Sequence, residues 1–526
     1  MKATKQILAA CVLVTSGLCA PVFAVDRGYT AASGDWDVDA NWTPTAGIGP
    51  RPQSGDRAFI GANFIGGQAL NANVTVDTNE SAQTLSEIYV GGFNTNTGSG
   101  TLNINSGGTI KSNSNVRVGG QSSGVLNVNT GGTLDNLGGQ IGVGFDTGGG
   151  QMTIAGGTVT GNRLFVGFQS NGTFNMSSGT LSLTGGLEGS VGSSGTSSIQ
   201  ITGGTLNVGQ FAWTNSGSGA GTVGIANATI TTTGSSLSGF GSGGDTITQT
   251  SGSVTVNGQL RIGVNANSAW SISGGSLSVV GNELWVGEGG AGTTRSLNIS
   301  GAGTTVTAIT NRALIGVFDG TSTVNQSNGT ATFNDLQLGF EGSNTPVGIY
   351  NLSGGSLVTN LLKKNGNGSS AFNFTGGSLD ANDIRFSVTN NGGALSPDLF
   401  DDVGTTLFTS GAGYTQSSGS LAIDLMSLAS FDTVTVGGAA SLNGTVSVNL
   451  VGAYLPTSGD FWDVLTASSA ITDLGLLVTS TEGIFTKSYV SGGNTLRLTY
   501  VSAIPEPTSL SLLGLAGLAL VRRRRA

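Results

Sequence analysis

Apolar and polar residues alternate over four or five positions at a time along most of this chain, and the alternation returns on a fixed period. The phrase reads TLNINSGGTI at Thr101, VLNVNTGGTL at Val125, QMTIAGGTV at Gln151, AWSISGGSL at Ala269 and AFNFTGGSL at Ala371. A second phrase accompanies it, in the forms VRVGG, IGVGF, LFVGF, LRIGV, LWVGE and LQLGF. Alternation of this kind specifies strands and not helices. The Gly-Gly pairs between phrases, such as Gly107-Gly108 and Gly274-Gly275, allow the positive φ that a tight corner demands.

Aligning the second apolar position of each phrase gives Leu102, Leu126, Met152, Phe174, Ile199, Val223, Ile247, Trp270, Leu297, Val324, Tyr350 and Phe372, with steps between 22 and 27 residues. A period in this range marks a solenoid, whose units bury their apolar sides only against their neighbours. The expectation is an all-β chain: a parallel β-helix of about twelve coils, with equivalent strands pairing at roughly 4.8 Å. The general rule for parallel crossovers makes it right-handed. A flexible Gly/Ser linker is the competing reading, but such segments lack aliphatic residues held in register.

On either side of this repeat the pattern changes, and five segments follow. Residues 1–24 read as a signal peptide, with Lys2 and Lys5, an apolar run from Ile7 to Val14, and a small-residue cleavage site ending at Ala24. Residues 25–82 read as an N-terminal cap in which Trp36 and Trp42 plug the open end of the solenoid, with carbohydrate stacking as their functional alternative. Residues 83–393 hold the coils. Residues 394–502 read as closing coils and a C-terminal β cap, with a small sandwich as the variant. Residues 503–526 carry Pro505-Glu506-Pro507, an apolar run from Thr508 to Val521, and Arg522, Arg523, Arg524 and Arg525. As a helix, 14 residues would span roughly 21 Å, short of a bilayer's hydrocarbon core of roughly 30 Å. The run suits transient insertion, with the arginines held on the cytoplasmic side.

Composition narrows the chemistry. The chain has 526 residues, 37% hydrophobic and 9% charged, with 91 Gly and no His. Without histidine there is no Ser-His-Asp triad and no imidazole base or ligand. Cys11 and Cys19 both fall in the leader, so a processed chain would have no disulfide or thiolate site. The net charge of −9 argues against nucleic acid as a partner.

The tail resembles that of the PEP-CTERM class of exported bacterial proteins, in which PEP, a short apolar segment and an arginine cluster follow in that order. The resemblance implies processing by an exosortase-type enzyme near Pro505 to Pro507 and delivery to the cell surface or extracellular matrix. The body resembles the β-helical passengers of autotransporter-like proteins, through DWDVDANW around Trp42 and GAYLPTSGDFWDVL from Gly452 to Leu465. The strands of a membrane barrel are missing from its C-terminus.

Catalysis is the remaining question. A glycosidase needs two facing carboxylates, and the acids fall only into small groups: Asp35, Asp37 and Asp39; Asp398, Asp401 and Asp402; Asp380 and Asp383. If the first trio lies on a strand, all three share one face. The second group reads as a solvated turn, with a weak calcium site as its sharper alternative. Gly243-Gly244-Asp245 is a single occurrence of a calcium-repeat fragment, and Lys363-Lys364 reads as a solvated corner. Asn103, Asn127, Asn298, Asn351 and Asn373 recur at one outward position, either bonding to one another or presenting a flat array to glycans or ice. The reading is an exported, non-catalytic structural or adhesive protein with no cofactor or metal, exopolysaccharide binding and a polysaccharide-degrading enzyme being the rivals.

Overall fold

The computed structural model describes residues 25–44, 51–62, 68–93, 98–189, 195–212, 219–237, 244–290, 292–340, 346–365, 369–398, 402–452 and 454–504. These form a parallel β-solenoid, with no α-helix among the described residues. Each turn contributes a strand to each of three parallel sheets, here called faces A, B and C. In one turn, Ser99–Ile104 lies on face A, Thr109–Ser112 on face B and Val116–Val118 on face C.

The repeat register becomes the ladder of face A. Leu102 pairs with Leu126, Leu126 with Met152, Met152 with Phe174, and the series continues without a slip through Val324, Tyr350 and Phe372. Eleven of the twelve register residues are buried, and Phe372 is packed against the core but partly exposed. Face B stacks Ile110 on Leu134 and Leu134 on Val159. Face C stacks Ile88 on Val116 and Val116 on Ile141. Since no turn can bury these residues alone, neighbouring turns supply the dry interior.

Twelve coils understates the solenoid, which has about fourteen turns. The ladder continues upstream through Val74 and Gly34, and downstream the pairing of Phe374 passes through Asn390, Gln416 and Leu442. Two steps hide this continuation. The turn from Phe374 to its partner Asn390 is unusually short, and the one from Gly34 to Val74 is unusually long.

Corners are where glycine is required. Gly107 has φ 88° and Gly131 φ 76°, a conformation costly for any residue with a Cβ. At Gly124 a Cβ would lie 2.1 Å from the Val90 carbonyl oxygen of the preceding turn, so even alanine would force the turns apart.

Both ends reverse the pairing direction. At the start, Asp26–Tyr29 pairs antiparallel with Trp42–Pro44 and parallel with Arg57–Ile60. Trp36 and Trp42 are buried there with Tyr29, their rings in edge contact, and the Trp42 indole N–H donates to the Trp36 carbonyl at 2.8 Å. Burial removes both from carbohydrate stacking. At the finish, Thr495–Ala503 pairs antiparallel with Phe461–Ala467 and with Gly483–Val490. Phe461–Ala467 in turn joins the parallel stack of face C through Val434 and Leu465. This ribbon, and not a separate sandwich, closes the end.

Candidate functional site

Outward surfaces on faces A and C carry side chains that could meet a partner. On face A the outward asparagines form ladders along the solenoid axis. Asn127 Nδ2 donates to Asn103 Oδ1 at 2.8 Å, and Asn103 Nδ2 donates to Asn73 Oδ1 at 2.7 Å. A second ladder runs from Asn373 to Asn351, Asn325 and Asn298, at 2.7, 2.7 and 2.8 Å. The interior rungs Asn103, Asn325 and Asn351 thus spend a donor and an acceptor on their neighbours, which is the structural role the spacing suggested.

Face C gathers the charges that look scattered in the sequence. Ion pairs follow one another along it: Arg117 with Glu87 at 3.5 Å, Arg163 with Glu188 at 3.4 Å, Arg261 with Glu288 at 3.0 Å, Arg312 with Glu283 at 2.6 Å and Lys363 with Asp335 at 3.0 Å. Aromatic rings interleave with them. The Arg117 guanidinium lies 4.6 Å from the Phe145 ring centroid and 5.3 Å from that of Tyr89, and Arg261 lies 4.9 Å from Trp285. Phe145 and Phe168 stack at 4.9 Å. Residues one period apart land on the same face, so charges distant in the chain gather along one strip, broken where Gly142, Ala212 and Leu237 take the position. The signal was readable: Arg117, Arg261 and Trp285 all occupy the middle of the second phrase. Partly exposed pairs of this kind contribute only ~0–1 kcal/mol each, and the strip is firmer for its cation–π contacts.

The fold splits the first acidic trio and pairs other acids with cations. Asp35 ends a strand, Asp37 sits in a turn and Asp39 opens a short 3-10 turn, so the trio does not share a strand face. Asp39 pairs with Arg51 at 3.6 Å. Asp383 pairs with Arg385 at 2.8 Å and accepts from the Thr409 hydroxyl. Asp402 accepts from the Val403 N–H, and Asp401 lies outside the described residues. No group of three or more acidic side chains able to hold a metal occurs among the described residues. Lys363 and Lys364 end a strand: the first is part-buried and pairs with Asp335, and the second is exposed, over the Phe386 ring at 5.6 Å.

Sequence reasoning missed four polar side chains inside the solenoid. Gln249, Gln326, Asn390 and Gln416 are fully buried at the A–B corner, where other turns carry Ile, Val, Leu, Met or Phe. Gln326 Nε2 donates to the carbonyls of Gly329 and Ser356 at 3.1 and 2.9 Å, and its Oε1 accepts from the Tyr350 hydroxyl at 2.6 Å. Gln416 bonds to the Asn443 and Thr445 carbonyls in the same way. Each donates its side-chain amide N–H to corner carbonyls and so staples consecutive corners.

Asp432 is a buried carboxylate pushed up to about 7, chiefly by burial and further by Asp424 and Asp398. Its oxygens accept from the Gly404 and Asp424 N–H groups at 2.7 and 2.9 Å.

The sorting and processing residues expected at Ala24, Pro505, Glu506, Pro507 and Arg522 to Arg525 lie outside the described residues. Among the described residues no helix is long and apolar enough to cross a membrane. No curated protein matches the chain, so the likeness of its body to autotransporter passengers remains one of pattern. Residues 503–525 match the model of the PEP-CTERM protein-sorting motif, which marks the chain as an exported protein with a tail read by an exosortase.

Proposed function

We propose that this chain is a non-catalytic structural or adhesive rod of the cell surface or extracellular matrix, released from its tail by an exosortase-type enzyme and in contact with exopolysaccharide. The observation that carries this reading is the joining of a sorting motif at residues 503–525 to a solenoid whose outward side chains on faces A and C are committed to ladders and ion pairs. A scaffold needs a long surface of repeated polar groups, and the three faces supply one. The absence of histidine from the sequence fits a role without acid–base catalysis.

Mass spectrometry of the C-terminus of the protein recovered from its native cells tests the sorting step. A terminus near Pro505 to Pro507 is expected, and a chain that retains Arg525 overturns it. Protease accessibility on intact cells tests placement, with the described solenoid expected to be cleaved from outside.

A further inference from the structure

Face B is built differently from its two neighbours. Its first outward column holds threonine or serine in every turn from Thr109 to Ser378, passing through Thr158, Thr229 and Ser253 without a slip. A second column stands two residues along each strand. From Thr160 to Thr332 it too is threonine or serine in every turn but that of Asn207. Neither column carries a charge within this block, although Asp135 precedes Thr160 and Val358 and Asp380 follow Thr332.

On faces A and C the outward groups are spent on one another, and in this block most are not. Thr160 donates to Asp135 at 2.7 Å and Thr307 to Ser278 at 3.0 Å. The other members of the two columns bond to no side chain among the described residues, and every member is half-buried or exposed. The adjoining corners at Gly156-Gly157, Gly203-Gly204 and Gly274-Gly275 put no side chain above the array. Along a column the hydroxyls repeat at ~4.8 Å, across a strand at roughly 6.7 Å, and the block is about 34 Å long. The result is a two-dimensional lattice of free hydroxyl groups.

Spacing selects the partner. Liquid water satisfies a free hydroxyl about as well as a ligand does, so bond strength cannot discriminate here and only the repeat can. The oxygen rows on the prism face of hexagonal ice repeat at two distances close to these. Threonine also sets a methyl group beside its hydroxyl, and apolar surface restricts the water next to it. Other occupants fit less well. A charged polymer finds no counter-charge in the block, and a sugar ring finds no aromatic platform in either column. A second copy would cover only roughly 34 by 13 Å, about 440 Å² a side, against the ~800 Å² a side of a stable interface.

We propose that face B, from Thr158 to Thr332, binds ice through its two hydroxyl columns. This goes beyond the scaffold reading and does not depend on tail processing. Two assays of the exported chain test it: grain growth in a frozen sucrose solution, and the shape of a single ice crystal held just below its melting point. The parent should halt grain growth at micromolar concentration and facet the crystal. Thr229→Tyr, from an exposed position in the first column, should raise the concentration needed about tenfold, because its ring displaces ordered water from the array. Thr255→Tyr stands in the other column one turn along and serves if the first variant does not fold. Gln151→Tyr, exposed on face A, should act as the parent does. Ice growth unaffected by the parent, a full effect from the folded tyrosine variants on face B, or an equal loss in Gln151→Tyr would overturn the proposal. Retention of the chain by an immobilised neutral polysaccharide, with ice growth unaffected, would overturn it in favour of a glycan. A C-terminus retaining Arg525 would defeat the sorting step while leaving this result unaffected.

Discussion

The middle of the solenoid and its C-terminal end solve opposite problems with the same backbone bonds. In the middle, from Leu102 to Tyr350, every face A pairing is parallel and each turn stacks its inward side chains on those of the last. At the end, Thr495–Ala503 runs antiparallel to both of its neighbours, and Trp462, Phe485 and Tyr500 pack ring on ring over the last turns. A parallel stack exposes an edge that invites another strand. Reversal of direction, with aromatic cover, stops the stack.

The largest effect should come from removing that stop. A chain ended after Ser480 loses the ribbon of Gly483–Val490 and Thr495–Ala503, and light scattering should show large aggregates in place of the parent species. Deleting residues 126–151 removes one whole middle turn, brings Met152 into the place of Leu126, and should leave a folded chain with a modestly lowered melting temperature. Equal damage from the two deletions would dissolve the distinction.

Single cavities come next. Leu297→Ala, fully buried in the middle, should cost about 2–5 kcal/mol, and Trp462→Ala at the end about 3–5 kcal/mol, by chemical denaturation.

The larger pH effect should belong to the end turns. The Asp432 carboxyl is pushed up to about 7 from an ordinary value near 4, so burial disfavours its charged form. The stability it contributes is complete below about pH 4 and declines as pH rises to 7 and beyond, by on the order of a few kcal/mol. Melting curves at pH 5 and pH 8 should differ more for the parent than for Asp432→Asn. Smallest of all, Asn351→Ala interrupts an exposed ladder and should cost ~1 kcal/mol or less.

The legible and illegible parts of the chain divide along the same line. Leu102 to Phe372 could be placed in register from the sequence because inward positions repeat and glycine marks each corner. The turns beyond were obscured where Asn390-Asn391 replaces an aliphatic residue before Gly392-Gly393, and where the turn itself is short. Gln249, Gln326 and Gln416 sit at inward positions but look like surface residues, since only the corner carbonyls of the next turn explain them. The strip on face C needed the second phrases to be stacked turn upon turn.

The central claim, that residues one period apart lie side by side, is tested most directly by cysteine crosslinking in a chain with Cys11 and Cys19 replaced by serine. Asn325→Cys with Asn351→Cys places two thiols on adjacent rungs of one outward row, at roughly the 4.8 Å strand spacing that a disulfide spans. Asn298→Cys with Asn351→Cys places them two rungs apart, beyond that reach. Rapid oxidation of the first pair and none of the second, read as a mobility shift reversed by reductant, is the predicted result. Equal crosslinking of both pairs, or of neither, would contradict the solenoid register.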